Sequence, residues 1–144
     1  MDVHFDATAI QGYNCRAVLG GSSYSLHALG RAADLFFNAN DPAQKGRADW
    51  LVFTLVLPDE AGHANAIARR MGVQEIIWNR QIWTSSRASE GFRPYTGSSP
   101  HTDHVHIGLT NAGANAQTTF FTGWNVLSCG TVGCGYIPIG QYAS

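Results

Sequence analysis

The sequence carries little charge. Only 13% of its 144 residues are Asp, Glu, Lys or Arg, about half the usual share. Nine basic residues nearly balance ten acidic ones, and Lys45 is the single lysine. A composition this low in charge, with 44% hydrophobic residues, argues against an intrinsically disordered chain. The balance of charges and the lack of a basic run also argue against a nucleic-acid-binding module.

Long apolar runs are missing too. The longest, from Trp50 to Leu57, is interrupted by Thr54 and is far too short to span a bilayer. The first twenty residues lack the basic start and the apolar block of a signal peptide. We therefore expect no membrane insertion. The chain is expected to reside in the cytoplasm, to leave the cell by a route that this segment does not encode, or to be cut from a longer secreted protein.

Cysteine is scarce, and three cysteines cannot form a fully paired set of intramolecular disulfides. Cys129 and Cys134 flank a flexible Gly-Thr-Val-Gly spacer. They could close a small disulfide loop, or both could remain as buried thiols. Their spacing exceeds the two-residue gap of most zinc knuckles, and no second pair follows. A structural zinc site built on cysteine is therefore not expected.

The apolar pattern predicts an α+β domain, a small antiparallel sheet with two helices packed on it. Strands are predicted over 15–19, 31–37, 74–78, 81–84 and 103–109, and helices over 43–57 and from 59 to about 71. Asn79-Arg80 is the predicted hairpin turn, and Gly72 the predicted end of the second helix. Trp78 and Trp83 are expected in the core. Residues 85–100 are predicted to form a long polar loop.

Three of the six histidines lie close together, at His101, His104 and His106, with Asp103 among them. On a strand, His104 and His106 point to the same face. Two imidazoles beside a carboxylate are typical of a metal site. The alternative is a solvated polar strand end, and the role of His101 stays open.

A second polar group consists of His27 and Asp34. A straight strand would place them more than 20 Å apart, and a helix would separate them by about 10 Å along its axis. They can share one metal ion only if the chain folds back between them, and Gly30 is where it could. Asp34 lies in an apolar run, where an unpaired carboxylate is costly. It is either bound to a cation or paired within the protein, for instance with Arg31.

Together the two groups supply His27, Asp34 and His106 as three ligands. Three protein ligands are the usual number at a catalytic zinc ion, because the fourth position is kept for water. We therefore predict one zinc ion held by these residues. Zinc lowers the pKa of a bound water and polarises a carbonyl group, and hydrolysis of an amide also needs a general base nearby.

These residues resemble the zinc peptidases of the LAS type, which include the VanX and VanY D-Ala-D-Ala peptidases, the phage L-alanyl-D-glutamate endopeptidases and the MepA-like murein endopeptidases. The resemblance rests on the motifs Ser25-x-His27-x-x-Gly30-x-Ala32-x-Asp34 and Asp103-x-x-His106. It covers roughly residues 14–109 and implies the Hedgehog/DD-peptidase-like form of an α+β fold. We accordingly place a zinc peptidase domain at 1–110. Residues 111–144 are either a C-terminal extension of that domain, such as an edge hairpin, or the start of a linker.

The resemblance also implies roles for further residues. Asp103 occupies the general-base position, and we favour it, with His104 as the alternative base or as an oxyanion-stabilising group. Because Asp103 and His106 would face opposite ways on a regular strand, Asp103 is expected in the turn before it. Ser25 resembles the serine that contacts substrate in the family; the alternative is a cap at the end of a loop. Arg16 could stabilise the oxyanion or bind a substrate carboxylate, or it is an exposed surface arginine. Arg93 and Tyr95, in the long loop, are placed where they could line a cleft.

The function implied by the resemblance is that of a zinc-dependent peptidoglycan hydrolase. We expect cleavage of an amide bond in the murein peptide stem or cross-link, at the bacterial cell wall, by a monomer. Asp103 and the missing signal peptide favour a phage endolysin-type endopeptidase, which leaves the host cytoplasm through a holin. Two alternatives stay open: a D-Ala-D-Ala carboxypeptidase or dipeptidase on the same scaffold, and a non-catalytic zinc-containing binding module.

Overall fold

The structure is a computed structural model that describes residues 7–12 and 24–122, together with two short strands at 124–126 and 136–138. The predicted strand over 15–19, Arg16 and the Cys129–Cys134 pair lie outside the described residues. The strands are β1 Ile10–Gln11, β2 Ala32–Phe36, β3 Val73–Trp78, β4 Gln81–Thr84, β5 Arg93–Pro94, β6 His104–Leu109, β7 Trp124–Val126 and β8 Tyr136–Pro138. The helices are α1 Pro42–Val56, α2 Ala66–Met71, α3 Asn111–Ala114 and α4 Thr119–Thr122, with 3₁₀ turns over Ser85–Glu90.

Six strands form an antiparallel sheet in the order β1-β2-β6-β3-β4-β5. This confirms the predicted α+β class. Strand β6 lies in the middle, between β2 and β3. Because successive side chains of a strand point to opposite faces, the apolar and the polar residues of β6 lie on different faces of the sheet. Val105 is fully buried in the core, with Ile107 packed against that core. His104 and His106, which alternate with these residues, therefore lie on the opposite face of the sheet.

Helices cover the apolar face. Helix α1 contributes Ala48, Val52 and Leu55 to the core cluster, and α2 contributes Ala68. Trp83 from β4 is 1% exposed at the centre of this cluster, so the expectation that the tryptophans of the hairpin lie in the core is confirmed. This packing leaves the other face of the sheet free to carry polar groups.

Local signals explain where α1 begins. Asp41 precedes the helix in an extended conformation, and its side chain accepts hydrogen bonds from the backbone N–H groups of Ala43 and Gln44. Pro42 occupies the first turn, where its missing N–H costs nothing. The predicted helix over 43–57 is thus confirmed within one residue at each end.

Gly46 is an unfavourable residue inside this helix. It is exposed, and a Cβ atom added to it would meet no atom within 4 Å. Because glycine loses more backbone entropy on helix formation than alanine, we expect Gly46→Ala to raise the free energy of unfolding by about 0.5–1 kcal/mol. Urea denaturation measures this change, and a destabilised variant would contradict the exposed helical placement of residue 46.

The predicted second helix begins too early. Helix α2 spans only Ala66–Met71, so its start at Asp59 is wrong. The Asp59 carboxylate accepts hydrogen bonds from the N–H groups of Ala61 and His63, which forms a turn that competes with a helix. Gly62, with φ of +82°, continues this turn. The predicted end is confirmed, because Gly72 caps the helix with φ of +74°.

Two further predictions concern the hairpin turn and the segment that follows the hairpin. The hairpin turn at Asn79-Arg80 is confirmed, and both residues have positive φ, as a type I′ turn requires. The segment predicted as a long polar loop over 85–100 is more regular than expected, since it contains the 3₁₀ turns and β5. None of the described helices is long and apolar enough to cross a membrane.

The chain beyond residue 110 starts packed against the domain. The N–H of Thr110 donates to the carbonyl of Gly72, and α3 follows at once. Strands β7 and β8 pair with each other, and their sheet is separate from the six-stranded one.

Gly113 makes the closest approach in this region. A Cβ atom on it would lie 2.6 Å from the carbonyl oxygen of Met71 and 2.9 Å from that of Gly72. Because both are backbone atoms and cannot swing aside, we expect Gly113→Ala to destabilise the protein by about 1–3 kcal/mol. Thermal unfolding checks this, with Gly46→Ala as the matched glycine replacement that leaves packing unchanged.

Candidate metal centre

A tight turn brings His27 back over the sheet. Residues 26–30 form the turn, in which the N–H of Gly30 donates to the carbonyl of His27 and the N–H of Arg31 donates to that of Leu26, at 3.0 and 2.8 Å. Gly30 has φ of +66°, a conformation that glycine adopts without strain. The chain thus folds back between His27 and Asp34 at Gly30, the residue where the sequence indicated that it could.

Three buried side chains meet where this turn covers the sheet. Asp34 and His106 are direct cross-strand partners on β2 and β6, and His27 lies above them. Asp34 Oδ1 is 3.0 Å from His106 Nδ1 and 3.1 Å from His27 Nε2, and the two histidine nitrogens are 3.1 Å apart. The exposed fractions are 2%, 5% and 7% for His27, Asp34 and His106. We call these three residues the metal triad.

The metal triad could bind a metal ion. In a tetrahedral zinc site with bonds of about 2.0 Å, neighbouring ligand atoms lie about 3.3 Å apart, close to the separations found here. The His27 ring is oriented for the purpose, because its Nδ1 lies 2.6 Å from the carbonyl oxygen of Gly12. That oxygen can only accept, so Nδ1 carries the hydrogen and Nε2 directs its lone pair at the other two ligands.

The charges of the metal triad depend on one another. Burial alone would raise the pKa of Asp34, but the hydrogen bond from His106 and the nearby His104 and His27 hold it below its usual value. Burial alone would lower the pKa of His106, but its hydrogen bonds to Asp34 and Glu75 raise it to about 9. Without a metal, His106 is therefore a cation that donates from Nδ1 to Asp34. His106 would have to give up this proton before Nδ1 could bind a metal ion.

The pairing of Asp34 with Arg31, left open by the sequence, is not found. The guanidinium of Arg31 donates instead to the carbonyl of Leu109, at 2.9 Å, and to the side-chain oxygen of Gln74, at 2.6 Å. The Asp34 carboxylate is paired only with imidazoles among the described residues. Its negative charge therefore faces His27 and His106 and, at 3.7 Å, His104.

The triad histidines line an open cleft of about 610 Å³. Polar and aromatic side chains make up much of its wall, including Ser25, Glu75, Tyr95, Ser99, His101 and His104. Ser25 also caps the turn, since its Oγ accepts a hydrogen bond from the N–H of Ala28. The cleft therefore lies directly next to the metal triad.

His104 lies between the metal triad and Asp103. Its Nδ1 is 2.8 Å from Asp103 Oδ1, and its Nε2 is 3.7 Å from Asp34 Oδ1. The side chain of His104 is 13% exposed and that of Asp103 is 75% exposed. Asp103 precedes β6, as expected, but only His104 is among the residues that line the cleft.

His101, whose role the sequence left open, is part of the site. Its ring is buried, at 4.7 Å from His104 and 5.3 Å from Tyr95 between ring centroids. Burial lowers the pKa of His101 to about 4, so the ring is neutral at neutral pH. Its Nδ1 is 2.7 Å from the carbonyl oxygen of Ser99, which leaves Nε2 as an acceptor. Its backbone has a positive φ of 50°, a conformation that histidine adopts more often than most non-glycine residues.

Only some of the other residues predicted to bind substrate lie in the cleft. Ser25 and Tyr95 line the cleft. Burial raises the pKa of Tyr95, so its hydroxyl remains a hydrogen-bond donor. Arg93 is not among the cleft residues, and its guanidinium donates to Thr84 Oγ1 at the β4–β5 edge of the sheet. Arg16 lies outside the described residues.

Glu75 is a residue of the site that no sequence motif predicts. This residue of β3 lines the cleft, and its Oε1 is 3.3 Å from His106 Nε2. The available signal was weak, because a single acidic residue in the apolar strand Val73–Trp78 is not part of any motif.

Comparison with known proteins adds one family. Residues 3–106, most of the chain, match the family model described as VldE, C-terminal domain. No curated protein and no solved structure matches the chain. The matched range contains the whole metal triad and ends at its last member, His106. The chain therefore belongs to the VldE C-terminal domain family.

Proposed function

We propose that this protein is a zinc-dependent peptidoglycan hydrolase, an endopeptidase of the endolysin type that cleaves an amide bond in the murein peptide stem or cross-link. The observation that carries the proposal is the metal triad, with its three ligand atoms 3.0–3.1 Å apart beside an open polar cleft. The resemblance of the two motifs to zinc peptidases of the LAS type supports the choice of reaction and substrate.

The ligand set favours zinc. Two imidazole nitrogens and one carboxylate oxygen are a common donor set of catalytic zinc, and they leave a fourth position for water. Soft thiolate ligands, which suit copper(I) or iron–sulfur clusters, are not part of the triad. A zinc ion bound there supplies a water of lowered pKa and a Lewis acid for the scissile carbonyl.

The residues around the triad supply proton transfer. His104 Nε2 faces Asp34 at 3.7 Å, and its Nδ1 is held by Asp103. With Nδ1 protonated and bound to the carboxylate, Nε2 can take a proton from the attacking water and return it to the leaving amine. In this arrangement the exposed Asp103 carboxylate accepts the Nδ1 hydrogen of His104 from the solvent side.

Other cleft residues suit a peptide substrate. The Tyr95 hydroxyl is a donor, and His101 Nε2 is an acceptor, on adjacent positions of the cleft wall. Such a pair can bind the carbonyl and the N–H of one peptide unit. Ser25 offers a further hydroxyl beside His27.

Digestion of purified peptidoglycan tests the proposal. We expect soluble fragments from wild-type protein loaded with zinc, loss of cleavage with a chelator, and recovery on adding zinc. Mass spectrometry of the fragments identifies the bond through new amino termini inside the stem or cross-link. Asp34→Asn is the matched protein control.

Two other outcomes would replace the proposal. Release of terminal D-Ala alone would make the protein a D-Ala-D-Ala carboxypeptidase on the same scaffold. A zinc-loaded protein that cleaves none of several wall types would be a binding module.

A further inference from the structure

An irregularity in β3 determines which way Glu75 points. The register against β6 pairs Val73 with Leu109 but Glu75 with Gly108, so two residues of β3 oppose one of β6. This is the geometry of a β-bulge. Val73 and Ile76 consequently both lie in the core, although they are three residues apart, while Gln74 and Glu75 line the cleft. With regular alternation, Glu75 would point into the core beside Val73.

Gly108 leaves the space that Glu75 occupies. A Cβ atom on Gly108 would lie 2.8 Å from Glu75 Cγ and 2.5 Å from Leu26 Cδ1. The backbone of Gly108 does not need glycine, since its φ is not positive. Glycine is therefore needed at position 108 for packing and not for the backbone conformation. It makes room for the turn that carries His27 and for the side chain of Glu75.

The bulge and Gly108 place the Glu75 carboxylate against His106. Glu75 Oε1 is 3.3 Å from His106 Nε2, while His106 Nδ1 faces Asp34 and His27. A carboxylate only accepts, so this contact holds the hydrogen on Nε2. Histidines that bind metals usually donate their second N–H to a carboxylate or carbonyl, which fixes the ring and increases its basicity. His27 obtains the same support from the carbonyl of Gly12.

We propose that Glu75 is a positioning residue of the metal triad: its carboxylate accepts the Nε2 hydrogen of His106 and thereby directs Nδ1 at the metal. The inference rests on the metal site of the proposed function and is independent of the substrate. Loss of such a partner typically lowers metal affinity about 10–100-fold.

Zinc titration against a competing chelator tests the proposal on the whole chain. We expect Glu75→Ala to lower zinc affinity about 10–100-fold and Glu75→Gln to lower it less, because an amide oxygen still accepts the Nε2 hydrogen. Gly108→Ala should also lower affinity, since its new methyl group displaces Glu75 or Leu26. Glu60→Ala, at an exposed glutamate, and Gly46→Ala are the matched controls and should bind zinc like wild type.

Nuclear magnetic resonance of the imidazole N–H protons gives a second readout. In wild-type protein the Nε2 proton of His106 should be shifted downfield and protected from exchange, with and without zinc. Glu75→Ala should lose this signal although its far-ultraviolet circular dichroism is unchanged.

Two results would overturn the role of Glu75: wild-type zinc affinity in Glu75→Ala, or a wild-type protein that does not bind zinc. A protein that binds zinc through Glu75 and His106 but does not cleave peptidoglycan would refute only the proposed reaction.

Discussion

Asp34→Asn is expected to lower the affinity for zinc more than about 100-fold, since removing even a supporting partner costs 10–100-fold and asparagine removes a ligand charge. The Asp34 carboxylate is 5% exposed and has imidazole partners on three sides. A neutral amide oxygen in that position attracts a dication far more weakly. Peptidoglycan cleavage should fall with metal content.

The fold should survive this substitution. Without the carboxylate, His106 can release its proton and remain neutral, so no unpaired charge is left buried. Zinc at 100 times its Kd stabilises the wild-type protein by about 2.7 kcal/mol. The melting temperature of wild type should therefore rise on adding zinc, and that of Asp34→Asn should not.

Asp59→Asn is the matched control, because it changes a partly exposed turn carboxylate outside the cleft and keeps an acceptor there. If Asp34→Asn kept wild-type zinc affinity, the metal triad would not be the binding site.

The metal triad could be predicted because the spacing of its residues along the chain fixes how they can meet. His27 and Asp34 can share a metal ion only if the chain folds back between them, and the chain does so at Gly30, where it could. Strand alternation correctly placed His104 and His106 on one face. Chain reversal at a glycine and alternation along a strand both depend on neighbouring residues only, so they can be predicted from the sequence.

Glu75 and His101 could not be predicted by the same rules. Alternation fixes the face of a residue only while the strand is regular, and the bulge between Val73 and Glu75 shifts the phase by one residue. His101 lies in a segment without periodicity, and its place in the cleft depends on hydrogen bonds that join Asn79 and Arg80 to residues 100 and 101. Both placements depend on backbone contacts between residues that are far apart along the chain.

His104→Ala is expected to lower the rate of peptidoglycan cleavage about 100- to 10,000-fold, the range for loss of a general acid–base group. Asp103→Asn should lower it by no more than about fivefold, because an exposed ion pair contributes 0–1 kcal/mol. The reason lies in their surroundings. His104 lines the cleft, whereas the Asp103 side chain is 75% exposed and touches His104 from the solvent side.

Rates of fragment release at saturating peptidoglycan, with zinc content measured for each variant, decide between the two bases. Both variants should retain one zinc ion, since neither residue belongs to the metal triad. His63→Ala, at an exposed histidine that pairs only with Asp59 among the described residues, is the control for loss of an imidazole and should cleave like wild type. The reverse order, with Asp103→Asn the more damaged variant, would make Asp103 the general base that the family resemblance implies. His104 would then act by stabilising the oxyanion, and substrate binding would have to draw Asp103 inward from its exposed position.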